Sequence, residues 1–198
     1  MYSDFVWPFC YIAERTSLAR LEKEFDISVE WKGFELHPET PVGGVLLERL
    51  FPGYQNSDRQ EYMRNFAASF GIEDMASPES LPNTRCILAM AEYAREMGKI
   101  DTFRTLAMQA RWKDGRDLEN NGVLGDIAAA SGLDPQKALV ACNSQDYLAR
   151  VDSLKAEAER MKITGIPTFI IGKKRVEGCQ RYQILANTVL QAGGSLRK

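Results

Sequence analysis

Hydrophobic residues recur along the chain with two different periods, which separate strand-like segments from helical ones. Residues 2–6 predict a short strand, and Pro8 suits the first turn of a helix, where its missing N–H would have no partner anyway. Alternation over residues 27–36, with Gly33 changing the phase, predicts a second strand with a bulge or bend. The helix between these strands has one apolar face at helical spacing, formed by Tyr11, Leu18, Leu21 and Phe25.

The middle of the chain, from residue 37 to about residue 162, has helical periodicity and no strand pattern. Its first part, residues 37–44, has the composition of a loop. Five helices are predicted in the remainder, and all but the third begin at a residue suited to cap a helix. They cover residues 84–97, 101–112 and 123–131, and then begin again at Asp134-Pro135 and at Ser144.

After residue 162 the period changes back to that of strands. Runs over residues 168–171 and 175–177, joined by a turn at Gly172, predict a hairpin, and a helix over residues 182–191 closes the chain. The order β-α-β, helical block, α-β-β-α predicts an α/β thioredoxin-like fold with a large all-helical insertion between its two halves. We therefore expect a thioredoxin-like domain made of residues 1–38 and 150–198, and an inserted helical subdomain made of residues 39–149.

Composition and charge exclude several classes of protein. With 198 residues, 44% of them hydrophobic and 26% charged, the chain is typical of a folded globular protein. A net charge of -2 with interspersed signs argues against nucleic acid as a partner, and no apolar run is long enough for a membrane span. No secretory signal is visible, so we expect a cytoplasmic protein. Its four cysteines form no C-x-x-C group, so the sequence predicts free thiols and no metal site.

Four stretches of sequence, in this order, resemble the DsbA-like thioredoxin-fold family. They are DFVWPFCYIAE, GFELHPETPVGG, LPNTRCILAMAEYA and GIPTFIIGKKRVEGCQ. The likeness is greatest to the FrnE-like branch, whose relatives include 2-hydroxychromene-2-carboxylate isomerases and kappa-class glutathione transferases. FrnE-like members usually have C-P-W-C where this chain has Trp7-Pro8-Phe9-Cys10, and the isomerases and transferases usually have S-P-x-S.

The replacement of the first cysteine by Trp7 changes the chemistry that the resemblance implies. In a C-x-x-C site the first thiol lies at a helix N-terminus, which favours the thiolate that attacks, and the second thiol resolves the mixed disulfide. Trp7 has no nucleophilic atom, so dithiol oxidase or reductase chemistry is excluded at this motif. Cys10 remains either a catalytic thiol that forms a mixed disulfide with glutathione or a small buried hydrophobic residue.

The resemblance implies a cis peptide bond at Ile166-Pro167, whereas the residues alone indicate only a strand start. A cis-Pro loop would expose the N–H and C=O groups of Ile166, which can pair with an extended peptide or with the backbone of glutathione. With Trp7, Pro8 and Phe9, these residues form the expected substrate-binding cleft.

Further candidates come from glutathione-using relatives, which place polar residues near the end of the hairpin. Gln180 and Arg181 match these positions for a γ-glutamyl carboxylate. Asn83 matches a residue that faces the cleft in relatives, although the adjacent Thr84 is most simply an N-cap. Cys179 either meets Cys10 in space or is a small packed side chain.

Two functions remain open at this point. In the first, the cleft binds glutathione or a thiol-containing substrate, and glutathione supplies the nucleophile for a transfer or isomerisation while Trp7 stacks on the ligand or covers it. In the second, the protein is a non-catalytic module that holds a peptide or a small ligand. Either protein would be a monomer or a homodimer.

Overall fold

A four-stranded mixed sheet lies at the centre of the thioredoxin-like part of the computed structural model, which describes residues 1–54 and 58–198. Its strands, in spatial order, are β2 (Lys32–Gly33), β1 (Tyr2–Ser3), β5 (Thr168–Ile171) and β6 (Lys174–Glu177). Strand β1 pairs parallel with β2 and antiparallel with β5, so that Tyr2 lies between Lys32 and Thr168. Together with the β5–β6 hairpin, this order confirms the predicted thioredoxin-like α/β fold.

The first two strands are shorter than the predictions of residues 2–6 and 27–36. The N–H of Lys32 donates to the Met1 carbonyl (2.7 Å) and that of Phe34 to the Ser3 carbonyl (2.8 Å), while the Met1 amino group donates to the Glu30 carbonyl (2.7 Å). The ladder does not continue beyond Phe34. Because β1 turns away after Ser3 towards the helix that begins at Pro8, residues beyond this point of β2 have no strand to pair with. The prediction of a long second strand is therefore wrong.

One helical segment follows β1 and carries the predicted apolar face into the core. It consists of α1 (Pro8–Ala13), a π-helical turn (Glu14–Leu18) and α2 (Ala19–Glu24). Pro8 occupies its first position, as predicted. Tyr11, Leu18, Leu21 and Phe25 are all buried, which confirms the face that their spacing predicts.

The insertion is mostly helical but not wholly so. Its helices are α3 (Leu47–Leu50), α4 (Asp58–Ser69), α5 (Arg85–Glu96), α6 (Ile100–Trp112), α7 (Asn121–Ala130), α8 (Pro135–Ala141) and α9 (Gln145–Arg160). An antiparallel ribbon of β3 (Val45–Leu46) and β4 (Ser80–Leu81) contradicts the prediction that no strand occurs here. Strands of two residues are too short to show a period in the sequence. The predicted boundary at residue 150 falls inside α9, and the division into two units stays a prediction.

The residues that cap the helices explain why some helices begin where predicted and others do not. Asp134 caps α8 as predicted, since its carboxylate accepts from the N–H groups of Gln136 and Lys137 (2.9 and 3.2 Å). Helix α7 begins at Asn121, two residues early, because the Asn120 side chain caps it. Asp101 is not a cap: α6 starts one residue before it, and its carboxylate pairs with Arg104 one turn later (3.1 Å).

Two further residues stand at the N-cap positions predicted for them, but their side chains make no capping hydrogen bond. Ser144 precedes α9 and Thr84 precedes α5, but neither side chain caps its helix. Thr84 instead donates its hydroxyl to Asp4 (3.1 Å), which ties the start of α5 to the end of β1. The closing helix α10 (Tyr182–Gln191) has the predicted bounds, and β6 begins at Lys174, one residue earlier than predicted.

The cysteines differ from the prediction of four free thiols. Cys86, in the first turn of α5, and Cys142, which follows α8, form a disulfide, with their Cα atoms 4.3 Å apart. Packing of α5 against α8 brings these residues together although 56 positions separate them in the sequence. Cys10 and Cys179 are free and are not joined to each other. Since disulfides are typical of oxidising compartments, the cytoplasmic location stays a prediction.

Candidate functional site

A largely apolar cleft of about 770 Å³ lies beside the start of α1. Its size is within the usual range for small-molecule sites, and aromatic and aliphatic side chains line most of it. The walls come from the β1–α1 turn, residues 36–39 after β2, the loop before β5, helices α3 and α4, the segment leading to β4, and the end of α6. The lining residues include Trp7, Pro8, Phe9, Leu47, Phe51, Tyr54, Met63, Arg111, Trp112 and Ile166.

The motif Trp7-Pro8-Phe9 forms one wall of this cleft. Trp7 is half-buried at the N-cap of α1, and its ring centroid lies 5.5 Å from that of Phe9. Phe9 in turn meets Phe66 of α4 edge to face at 4.9 Å, so an aromatic wall runs from the thioredoxin-like part into the insertion. The N-terminus of α1 and the aromatic rings therefore face the same space.

Cys10, unlike Trp7 and Phe9, does not face the cleft. It is fully buried and lines no part of the cleft. Burial raises the pKa of its thiol well above the usual value, against the opposing effect of hydrogen bonds with the Ser3 side chain and the Asp4 backbone. A thiol that is both enclosed and un-ionised is a poor nucleophile, so the geometry favours Cys10 as a packed core residue.

Asp4 lies beneath the motif and fastens three segments together. Its buried carboxylate accepts from the N–H of Leu36 (2.8 Å), the hydroxyl of Thr84 (3.1 Å) and the N–H of Val6 (3.4 Å). Burial nonetheless raises its pKa to about 6, because the hydrogen bonds only partly offset the loss of water. These bonds fix the turn that leads from β1 to Trp7.

The peptide bond between Ile166 and Pro167 is cis, the isomer that the resemblance implies. Ile166 lines the cleft. Within residues 1–54 and 58–198, neither its N–H nor its C=O forms a hydrogen bond. The C=O of Pro167 accepts from the N–H of Gly178 (2.8 Å) and belongs to the hairpin. The backbone of Ile166 is thus available to a bound peptide or thiol, as a strand edge is.

Gln180, Arg181 and Asn83 are not among the residues that line the cleft. The Gln180 amide donates to the Glu177 carbonyl (2.7 Å), and the Asn83 amide donates to the Thr40 carbonyl (2.6 Å). Arg181 binds the carbonyl and hydroxyl oxygens of Ser69 at the end of α4, with its guanidinium 4.2 Å above the Phe70 ring. Their roles in binding a ligand stay predictions, and their present partners give each a local structural role.

Arg111 is the main cleft residue that the sequence analysis missed. It is only 2% exposed and lies in the last turn of α6. A signal was present, because Arg104 and Arg111 are seven residues apart on the apolar face that Phe103, Ala107 and Met108 define. Two arginines at core positions of an amphipathic helix indicate buried charges that need partners.

A second cavity of about 610 Å³ lies on the side of the sheet where β1 and β5 meet α9 and the chain end, and it includes none of the motif residues.

In the described part of the chain, no group of three or more histidine, cysteine, aspartate or glutamate residues could hold a metal ion. Nor does that part contain a helix with the length and apolar character needed to cross a membrane.

Comparison with known sequences agrees with this geometry. A family model described as a DSBA-like thioredoxin domain matches residues 1–190. An uncharacterized protein of Bacillus subtilis (strain 168), YwbO, is 28% identical over 186 residues, which cover 90% of this chain and 88% of that protein.

Solved structures share the fold over almost the whole chain. A probable DsbA oxidoreductase from Streptomyces coelicolor has a TM-score of 0.85 at 22% identity, with 97% of this chain and 88% of that chain covered. A 2-hydroxychromene-2-carboxylate isomerase has a TM-score of 0.75 at 19% identity, with 96% and 93% covered. The cytosolic disulfide reductase DsbM from Pseudomonas aeruginosa, solved with glutathione, has a TM-score of 0.61 at 16% identity, with 97% and 94% covered. At these identities the likeness extends to the fold alone.

Proposed function

Because the chain belongs to the DsbA-like thioredoxin family of thiol-disulfide oxidoreductases, we propose that its cleft binds glutathione or another thiol-containing substrate. We further propose that the protein does not act as a dithiol oxidase. One observation carries the proposal: the cleft lies between the α1 N-terminus and Ile166, while Trp7 stands where the resemblance places the attacking thiol.

The sulfur that reacts would then belong to the ligand. The first turn of a helix has N–H groups without intrahelical partners and a positive end of the dipole, and both favour a thiolate over a thiol. A glutathione thiol placed there would lose its proton to water, and the thiolate would add to an electrophilic double-bonded carbon of the second substrate, whose π electron pair moves onto the substrate and takes up a proton from water. Attack on a disulfide sulfur would instead break the S–S bond and release the other sulfur as a thiolate. The backbone of Ile166 would hold the glutathione as an added strand. The glutathione complex of DsbM, a protein of the same fold, supports this choice of ligand.

A non-catalytic binding module is the second candidate. It is favoured by the partners of Gln180 and Arg181, since neither side chain lines the cleft where a γ-glutamyl carboxylate would need it. In this case the apolar cleft would hold a peptide or small ligand and release it unchanged. For either function we propose a cytoplasmic monomer or homodimer, because the cytoplasm holds the reduced glutathione pool.

Calorimetric titration with reduced glutathione separates the two candidates. We expect wild-type protein to bind glutathione with a dissociation constant in the millimolar range or below. Phe9→Ala removes an aromatic side chain from the cleft wall and should weaken binding about fivefold or more, the effect of losing roughly 1 kcal/mol of apolar contact. Val140→Ala is the matched control, because Val140 is 70% exposed on α8 and lines no part of the cleft.

No heat of binding at millimolar glutathione would remove the glutathione proposal and leave the binding module. Equal loss of affinity in both variants would show that binding does not occur in this cleft.

A further inference from the structure

Arg111 presents an arginine side chain to a mostly apolar cleft, whose other polar lining residues include His37, Glu39, Arg59 and Gln60. Its neighbours on the wall include Trp112, Ser80 and Tyr54. The indole N–H of Trp112 donates to the Phe5 carbonyl (2.8 Å), so the end of α6 is fastened to the turn that leads to Trp7. The guanidinium is therefore held in place at the wall and is not a mobile surface group.

The hydrogen bonds of Arg111 are incomplete. One Nη donates to the Ser80 carbonyl, while the buried Nε has no acceptor among residues 1–54 and 58–198. In the same part of the chain, no carboxylate lies within ion-pair distance of this guanidinium. Asp117 and Tyr54 are the titratable groups near enough to affect it, and burial still outweighs them and lowers the pKa of Arg111 to about 10.

Arg104, two turns earlier on the same helix, shows how this chain treats a buried arginine that serves the fold. Its guanidinium is paired with Glu14 (3.1 Å), Glu22 (2.7 Å) and Asp101 (3.1 Å). Burying a charge without a partner is strongly unfavourable, so a buried guanidinium normally has a carboxylate or phosphate beside it. Arg111 is as deeply buried as Arg104 and lacks its carboxylates, and it lines the cleft.

We propose that Arg111 binds the carboxylate of an apolar carboxylic acid whose body fills the aromatic part of the cleft. A guanidinium offers a planar pair of donors that matches a carboxylate, and the lining of Trp7, Phe9 and Phe51 suits a ring or an alkyl chain. The cleft is large enough for such a molecule beside the α1 N-terminus. This inference rests on the proposed function in one respect: the acid is taken to be the second substrate, and the glutathione thiolate adds to an electrophilic double-bonded carbon of its body while the carboxylate stays bound to Arg111.

The test uses 1-naphthoate and its neutral amide, 1-naphthamide, titrated into the full chain without glutathione and followed by quenching of tryptophan fluorescence. We expect naphthoate to bind at least about tenfold more tightly, because a hydrogen bond to a buried charged group discriminates by that order. Arg111→Met should reduce the ratio of the two affinities to about one, and Arg111→Lys should restore part of it. Arg116→Met is the control and should leave the ratio unchanged, since Arg116 lies outside the cleft and pairs with Asp126 (2.5 Å). Arg59→Met tests the other arginine that lines the cleft, which stacks on Phe51 (4.6 Å).

Equal affinities of wild-type protein for the acid and the amide would overturn the inference, as would a preference that survives in Arg111→Met. A preference lost only in Arg59→Met would also overturn it. If Arg111→Met does not fold, as judged by circular dichroism, the wild-type ratio and its partial loss in Arg111→Lys decide the question. Because the naphthoate titration contains no glutathione, its result does not depend on glutathione binding. If the protein prefers naphthoate but binds no glutathione in calorimetry, the proposed glutathione function is refuted and the role of Arg111 in binding a carboxylate stands.

Discussion

Trp7→Cys is expected to give the protein an insulin-reducing activity that wild type lacks. The substitution places a thiol at the N-cap of α1 and creates a C-P-F-C motif with the buried Cys10 one turn later. A thiol at a helix N-terminus has a pKa near or below 7 in many such motifs, so about half of it or more is ionised at neutral pH, against roughly a few per cent of an ordinary thiol. Cys10 can then resolve the mixed disulfide, which is the role its burial suits.

The measurement is the turbidity of insulin reduced by dithiothreitol with and without protein. Trp7→Ser opens the same space without adding a thiol and should remain at the uncatalysed rate. Trp7→Cys combined with Cys10→Ser should form mixed disulfides without turning over. No gain in Trp7→Cys while the variant folds would mean that the cleft does not retain the thioredoxin geometry. Insulin reduction by wild-type protein would contradict the exclusion of dithiol chemistry.

Arg104→Met is expected to lower the free energy of unfolding by about 3 to 5 kcal/mol. The guanidinium of Arg104 is 5% exposed, and its removal leaves the Glu14 carboxylate buried beside Ser3 and Trp31 with no opposite charge. Breaking a buried ion pair on one side costs more than the pair itself contributes, because the remaining charge is neither hydrated nor neutralised. Urea denaturation followed by circular dichroism measures the change.

Two further variants isolate the cause. Arg104→Met combined with Glu14→Gln removes both charges, and it should be less destabilised than the sum of the two single variants. Arg116→Met breaks an exposed ion pair with Asp126 (2.5 Å), and should cost less than about 1 kcal/mol. Equal losses in Arg104→Met and Arg116→Met would show that burial of the Glu14–Arg104 pair has no energetic consequence.

Most of the order of elements was predictable because most of the long helices and the β5–β6 hairpin have a period that the sequence shows. Helix α4 was not among the five helices predicted in the insertion, because it buries only Ala67 and so has little apolar face. The bounds of α10 and the buried face of α1 and α2 follow directly from that period. Elements of two residues have no period, which is why the β3–β4 ribbon was missed. The length of β2 depends on where its neighbour turns away, and no pattern within residues 27–36 contains that information.

The site was predictable in part, for a similar reason. The resemblance placed Trp7, Pro8, Phe9 and Ile166, and these residues line one cleft because the β1–α1 turn and the loop before β5 meet at the same end of the sheet. The resemblance was a poorer guide to Gln180 and Arg181, which do not line the cleft. Arg181 instead binds Ser69 at the end of α4, and the sequence around Arg181 does not show where that helix lies. The Cys86–Cys142 bond depends on how α5 packs against α8, which local sequence does not determine.

The pKa of the thiol of bound glutathione is the most direct test of whether the reacting sulfur belongs to the ligand. It is measured from the ultraviolet absorbance of the thiolate as pH is raised. The absorbances of the protein alone and of glutathione alone are subtracted from that of the mixture. We expect the bound thiol to titrate at least about one unit below the roughly 8.5 of a free thiol, because it lies at the N-terminus of α1. Cys10→Ala should give the same curve, since burial keeps the Cys10 thiol un-ionised in this range. A bound glutathione whose thiol titrates at or above the value in free solution would contradict the account.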